Sequence, residues 1–560
     1  VMNRKNLTAA VLAGLAGVAG IVGSAQAVNI NPDGLGEVLI FPYYTTNADN
    51  FTILSVVNTS DEAKAVKVRF LEGKNSREVL DFNLYMSKYD VWTASVYMGL
   101  EDPVNEPDAD LVPMMATGDN SCTVPYIYGR GNRPFGAEGG QAAFLPYAMN
   151  DEEGYDPDDL TTLGDISRAT EGHFEVIEMG VLTDEDMKSA TAITHVKGEL
   201  PAGGCAQLVA AWTDPDDLTD DDEGYWLGDY INDDDVQLGP FLDMDDPIGG
   251  LFGGAAIVNV GDGTMYSYDA TAVDGFSSEQ MHQMPGNTLP NLNSGDEYTG
   301  YVFVDGNTQM HSFYYDATPR GVDAVSYVFM HDSLMNEYST NGNIGGSTEW
   351  VVTFPTKHFY VYQPNSGSAL PVDPFTSVWD GSESCEIVLL DTIWDRNEQQ
   401  PGTPDEPTGE PIPPIVSPAP PSPPDPTKPA IVPFELCYET NVVKFGLDTD
   451  DIFGSSNLHT IDSDTELFTS VDGWARFELD DYPHDFNENG EVDCEDGEGK
   501  ECFSRDPLGN LEGLPVAGFA AMRFENQFLG PDADKIANYG GIFGHKYTRK
   551  ESSFNGTAAQ

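Results

Sequence analysis

Short runs of β-branched and aromatic residues recur along this chain, each closed by Asn, Asp, Ser or Gly. Glu37 to Tyr44, Phe51 to Asn58, Ala65 to Leu71 and Val91 to Tyr97 open the series. Tyr301 to Val304, Trp350 to Phe354 and His358 to Tyr362 continue it. Side chains of this kind fill a pleated surface, and the closing residues make tight turns. In Val66-Lys67-Val68-Arg69-Phe70 apolar and basic residues alternate, which predicts a strand with one face in water. The pattern predicts an all-β, mainly antiparallel fold: two or three β-sandwich domains, Ig-like or jelly-roll-like, with few short helices and long acidic loops. The best helix signal is Asp184 to Val196, opened by Thr183 with Asp186 three residues on, in the manner of a capping box.

Charge narrows the partners. The chain has 93 Asp and Glu against 26 Lys and Arg, a formal net charge of -67. Such a polyanion repels nucleic acid and anionic lipid and attracts cations. Arg4 and Lys5, the small apolar stretch from Leu7 to Gly23, and Ala25-Gln26-Ala27 read as a secretory signal peptide over 1–27, cut before Val28. The apolar run is shorter than the ~20 residues of a spanning helix. An outer-membrane barrel is disfavoured by the short strands and by the lack of a terminal aromatic residue. The expectation is a chain that does not span a membrane and works outside the cell or at its surface, with the periplasm as the alternative.

Six cysteines, Cys122, Cys205, Cys385, Cys437, Cys494 and Cys502, suit disulfides in such a compartment. Neighbourhood in sequence favours Cys122 with Cys205, Cys385 with Cys437 and Cys494 with Cys502, among many connectivities. The domains expected are an N-terminal sandwich over 28–120, a central β-rich region with acidic loops over 121–370, a C-terminal β-domain over 371–550 and a tail over 551–560. The Pro-rich stretch 401–433 has two readings. It is an interdomain linker, or an excursion between two strands clamped by Cys385 and Cys437; the second is preferred. The acidic segments 151–159, 214–235 and 243–246 read as solvated loops.

One stretch carries chemistry. Asp485, Asn487, Asn489, Glu491, Asp493 and Asp496 place oxygen donors at alternate positions around Gly490, with Val492 turned inward. Calcium takes six to eight hard oxygens, and a tight loop with a central glycine can supply them. The stretch 485–496 resembles the EF-hand-like calcium loops of exported proteins such as dockerins and thrombospondin type 3 repeats. It departs from a full EF-hand in having Asp496 rather than Glu at the last position, and no flanking helices. A bound calcium would be structural at extracellular concentrations.

No phosphate loop, HExxH, GxSxG or GxGxxG signature is present, and the nine histidines are scattered. No catalytic residue is assigned, and a non-enzyme is expected. Tyr43, Tyr44, Trp350 and Trp379 read as sandwich core in preference to a sugar-binding platform. Gly36 to Tyr44, Val66 to Leu71, Thr348 to Lys357, Gly513 to Phe524 and Asn538 to Gly541 resemble a family of uncharacterised exported proteins of Gram-negative bacteria, often described only as cell-surface proteins. That resemblance implies export and β architecture, and it transfers no activity. Three functions stay open in order of preference. They are a non-catalytic surface-layer, matrix or filament protein that associates with itself or other surface components, an adhesin or glycan-binding protein, and a secreted hydrolase with dispersed carboxylates.

Overall fold

The computed structural model describes residues 27–100, 111–125, 127, 140–145, 149–152, 165–185, 187–212, 224–227, 239–304, 306–312, 320–362, 373–396, 432–446, 449–461, 471–479, 510–529 and 535–551. Four sheets dominate them, and all but one of their strand pairings are antiparallel.

Sheet I runs Asn29–Ile30, Thr271–Asp274, Val38–Thr45, Glu171–Leu182, Ala63–Glu72, Glu78–Met86 and Cys122–Val124, with Met244–Asp245 added to Glu171–Leu182. Sheet II runs Thr264–Asp269, Leu251–Asn259, Asn50–Asn58, Val91–Gly99, Val112–Thr117 and Gly140–Ala143. Strands from the first hundred residues therefore alternate with strands from 171–274 along sheet I as far as Ala63–Glu72, and in sheet II the two groups meet where Leu251–Asn259 pairs with Asn50–Asn58. Leu39, Phe41, Val68, Phe70 and Phe174 of sheet I face Leu54, Val56, Trp92, Val96 and Ile257 of sheet II in one apolar cluster. Gly253 makes room there: a Cβ on it would stand 2.7 Å from the Phe41 ring and 2.5 Å from the Ser55 carbonyl.

Sheet III runs Val432–Leu436, Glu386–Asp395, Asp472–Glu478, Ser333–Ser339 and Lys546–Thr548. Sheet IV runs Leu458–Ile461, Thr440–Phe445, Gly346–Thr353, Ala517–Leu529 and Lys535–Gly544. Trp350 of sheet IV packs on Phe477 of sheet III at 5.6 Å between centroids. The opposite face of sheet IV serves the first sandwich: Val351, Val442 and Phe519 join the cluster of sheets I and II, and Phe519 stacks on Tyr268 at 4.9 Å. Gly346–Thr353 is consequently buried at every position. Strands covered on both faces lose the clean apolar–polar alternation of a half-wet sheet.

Among the described residues two disulfides are formed. Cys122–Cys205 ties the edge strand of sheet I to the helix Gly204–Ala211. Cys385–Cys437 closes the base of the strand pair in which Glu386 faces Leu436 and Val388 faces Phe434. Glu386–Asp395 and Val432–Leu436, on either side of the Pro-rich stretch, are thus neighbours in one sheet; residues 401–431 lie outside the described residues. Cys494 and Cys502 lie outside the described residues, as do residues 1–26 of the expected signal segment. Tyr43, Tyr44, Trp350 and Trp379 are all buried in the core.

Three local expectations need correction. His358–Val361 is a single helical turn, not a strand, because the Tyr360 hydroxyl is drawn inward to Asp323 and Ser326, at 2.8 Å to each. The helix expected over Asp184 to Val196 shrinks to Ser189–Ile193. Lys188 stands in the left-handed region just before it, and the Asp184 carboxylate reaches forward to the Thr191 amide and hydroxyl instead of opening a helix. Asp243, read as part of a solvated loop, is buried, and its carboxylate accepts from the Met187 and Ser189 amides and the Ser189 hydroxyl.

Candidate functional site

Lys67 and Arg69, the polar side of the alternation in Val66 to Phe70, do not face water: they are buried, and so is Lys64. Lys64, Lys67 and Arg69 are 0%, 0% and 6% exposed. Each finds a carboxylate. Lys64 Nζ lies 2.5 Å from Glu178 Oε1, and Lys67 pairs with Asp81 and donates to the Asn287 carbonyl. Arg69 donates through Nε to Glu78 at 2.6 Å and through Nη1 to Glu175 at 2.7 Å. Nearby, Arg168 grips both oxygens of Glu72 at 2.8 and 3.1 Å and reaches Asp151 and Glu152. A charge removed from water is tolerated only when paired and hydrogen-bonded, and these groups meet that condition with one another.

A cavity of about 470 Å³ opens on this layer, where sheet I meets the helical turn at His358 and the segment 286–291. Leu71, Leu80, Leu145 and Phe359 give it apolar walls, and Arg69, Arg77, Asp81, Asn150, Glu175 and Asn291 give it polar ones. Arg77 donates to Asn150 Oδ1 at 2.6 Å, and its guanidinium lies 5.7 Å from the centre of the Tyr362 ring. Burial pushes the Glu175 carboxyl up despite the Arg69 pair. Burial, helped by Arg77, pulls His358 down to about 4, so its ring is neutral at physiological pH. Its Nδ1 faces Asn75 Oδ1 at 3.3 Å, which puts the proton on Nδ1 and leaves Nε2 as an acceptor.

A second buried group lies behind the helical turn. Lys357 donates to the Ser384 carbonyl and is flanked by Glu386 and Glu439; burial lowers its pKa. Glu386 accepts from the Thr376 amide and hydroxyl, and burial drives Glu439 well above the usual carboxylate range.

The six residues expected to ligate calcium, Asp485, Asn487, Asn489, Glu491, Asp493 and Asp496, lie outside the described residues. Among the described residues Glu383, Cys385 and Cys437 come close enough to surround an ion, but the two sulfurs are bonded to each other and offer no thiolate. The cavity escaped the sequence reading because its walls come from segments far apart in the chain. One signal was available. In a chain with 26 basic residues, Lys64, Lys67, Arg69 and Arg77 fall almost together on one strand and its turn.

The molecule belongs to the class of mainly antiparallel, sandwich-type all-β proteins. No family model, no curated protein and no solved structure matches the chain. No helix among the described residues is long and apolar enough to cross a membrane.

Proposed function

We propose that the chain is a non-catalytic structural protein of the cell exterior, a surface-layer, matrix or filament component assembled with the help of calcium. The observation that supports this reading is the distribution of charge. The chain has few cations, and it spends Lys64, Lys67, Arg69, Arg168 and Lys357 on internal carboxylates and carbonyls. What faces outward is left strongly anionic. A polyanionic particle collects divalent cations and can be bridged by them. The loop at Asp485 to Asp496 then serves as a structural calcium site, and the disulfides suit an oxidising space.

The test is direct. Purified protein with millimolar calcium should form sheets or filaments under the electron microscope and melt at a higher temperature than with EDTA. The Asp485→Ala, Asp493→Ala double variant should lose most of that calcium-dependent shift. If neither melting nor assembly responds to EDTA, the structural-calcium reading is wrong.

The cavity supports a second reading, a binding protein for a small polyhydroxy ligand such as a glycan. Its mixture of Asn, Arg and carboxylate groups with a Phe359 ring is the kind of lining that holds a sugar by hydrogen bonds and apolar contact. A glycan array would show a specific ligand whose binding falls with Arg77→Ala and Phe359→Ala.

A further inference from the structure

In so acidic a molecule, a broad surface without charge stands out, and the outer face of sheet II is one. Thr264–Asp269, Leu251–Asn259, Asn50–Asn58 and Val91–Gly99 alternate buried and outward residues, so the registers lay the outward ones in rows. Ala256 stands opposite Ile53, and Ile53 opposite Ser95, with buried Ala116 beyond them. The next row toward one end holds Met265, Val258 and Phe51, and the row at the other end holds Phe252, Val57 and Val91. Asp269 at the edge strand is the one acidic residue in the rows, although the chain has 93.

Large apolar side chains stand in the open on this face: Ile53 is 42% exposed, Val91 48%, Phe252 42% and Met265 57%. Between them, small residues leave a shallow depression of about 460 Å³ bounded by Phe51, Ile53, Thr93 and Tyr97. Exposed apolar patches of several hundred Å² on soluble proteins mark contact surfaces.

We propose that this face is the contact between two copies of the chain, related by a two-fold axis and packed sheet on sheet. The inference rests on the reading of the protein as one that assembles, and it names the surface. Charge selects the occupant. A face without cations offers an acidic partner no ion pair, and one with a single anion at its edge offers a basic partner at most one. The same face on a second copy is apolar, flat and uncharged, and so complementary to it. The four alternating strands, about 4.8 Å apart and roughly 25 Å long, cover a projected area on the order of 500 Å². Two such faces reach the ~1,000 Å² at which specific interfaces begin. Repulsion between two bodies of charge -67 opposes the contact, so it forms only when salt or divalent cations screen the rest of the surface.

Sedimentation of the full chain across a salt series, with and without millimolar calcium, tests this. The wild type should be monomeric near 10 mM salt and dimeric or larger near 0.5 M. Ile53→Glu and Phe252→Glu, both outward and exposed, should weaken association at least tenfold. Ile344→Glu, an equal charge placed on an exposed turn before sheet IV, should leave it unchanged. Association that is equal in all three variants overturns the assignment of this face while the assembly reading stands. A wild type that stays monomeric under every condition overturns both.

Discussion

Glu349 shows how one buried carboxyl couples the fold to pH. It is fully buried in sheet IV, where its two oxygens accept from the Ile452 and Phe453 amides at 2.9 and 3.0 Å. Burial outweighs those bonds and raises it from 4.5 to about 7. The folded state therefore keeps a proton that the unfolded chain releases above 4.5. This group's contribution to stability is complete below that value and is lost as pH rises to about 7. Buried His282, His358, His459 and His545, each pulled down to about 4, act in the opposite sense and cost stability as pH falls below 6.5. Their effect cancels when Glu349→Gln is compared with the wild type at each pH. Between about pH 5 and about pH 8 the wild type should lose on the order of 2–3 kcal/mol relative to the variant, by denaturant unfolding. A difference that does not change with pH would mean Glu349 is ionised throughout.

At the scale of the element, strand positions were legible and strand surroundings were not. Val38–Thr45, Asn50–Asn58, Ala63–Glu72 and Val91–Gly99 stand where their residues predict. Alternation locates a strand because the period of two is local. Whether the polar side is wet depends on what covers it, and Lys67 and Arg69 are covered by carboxylates from Glu78–Met86 and Glu171–Leu182. The composition of His358 to Tyr362 is that of a strand, yet tertiary hydrogen bonds to Asp323 and Ser326 decide for a helical turn. The candidate site was legible only as a local excess of basic residues, since its partners lie far along the chain. The strand pair at Cys385 and Cys437 makes an element-level prediction. Removing the disulfide with Cys385→Ser, Cys437→Ser should lower the free energy of unfolding by about 2–4 kcal/mol. Replacing 401–430 by roughly ten Gly and Ser residues should change it by about 1 kcal/mol or less, because closure entropy varies slowly with loop length. A collapse of sheet III on shortening would show that the excursion contributes more than connection.

At the scale of the molecule, electrostatic self-repulsion sets the conditions under which the fold holds. With a net charge of -67, long-range repulsion among surface carboxylates opposes compaction, and buried pairs such as Arg168 with Glu72 are screened little by salt. Added sodium chloride should therefore raise the melting temperature by several degrees between about 10 mM and about 0.5 M, where the screening length shrinks from ~30 Å to a few ångströms. A flat or falling curve by differential scanning calorimetry would mean that the acidic surface is already neutralised by bound cations. The same interplay links stability to the assembly proposed above, because ions that relieve repulsion within one copy relieve it between two.

The order of strands in sheet I has a kinetic meaning. Glu171–Leu182 lies between Val38–Thr45 and Ala63–Glu72, and Thr271–Asp274 seals the other side of Val38–Thr45. A chain that emerges from its N-terminus presents the two outer strands long before the one that joins them. Ala63–Glu72 can pair with Glu78–Met86 during that interval, but Val38–Thr45 has no native neighbour in this sheet until Glu171–Leu182 and Thr271–Asp274 arrive. Contacts of such high sequence separation make folding slow, and they postpone closure of the core until most of the polypeptide is available. A chain wired in this way leaves its first sandwich open through the early part of its synthesis, and the sheet is sealed only once residue 274 is available.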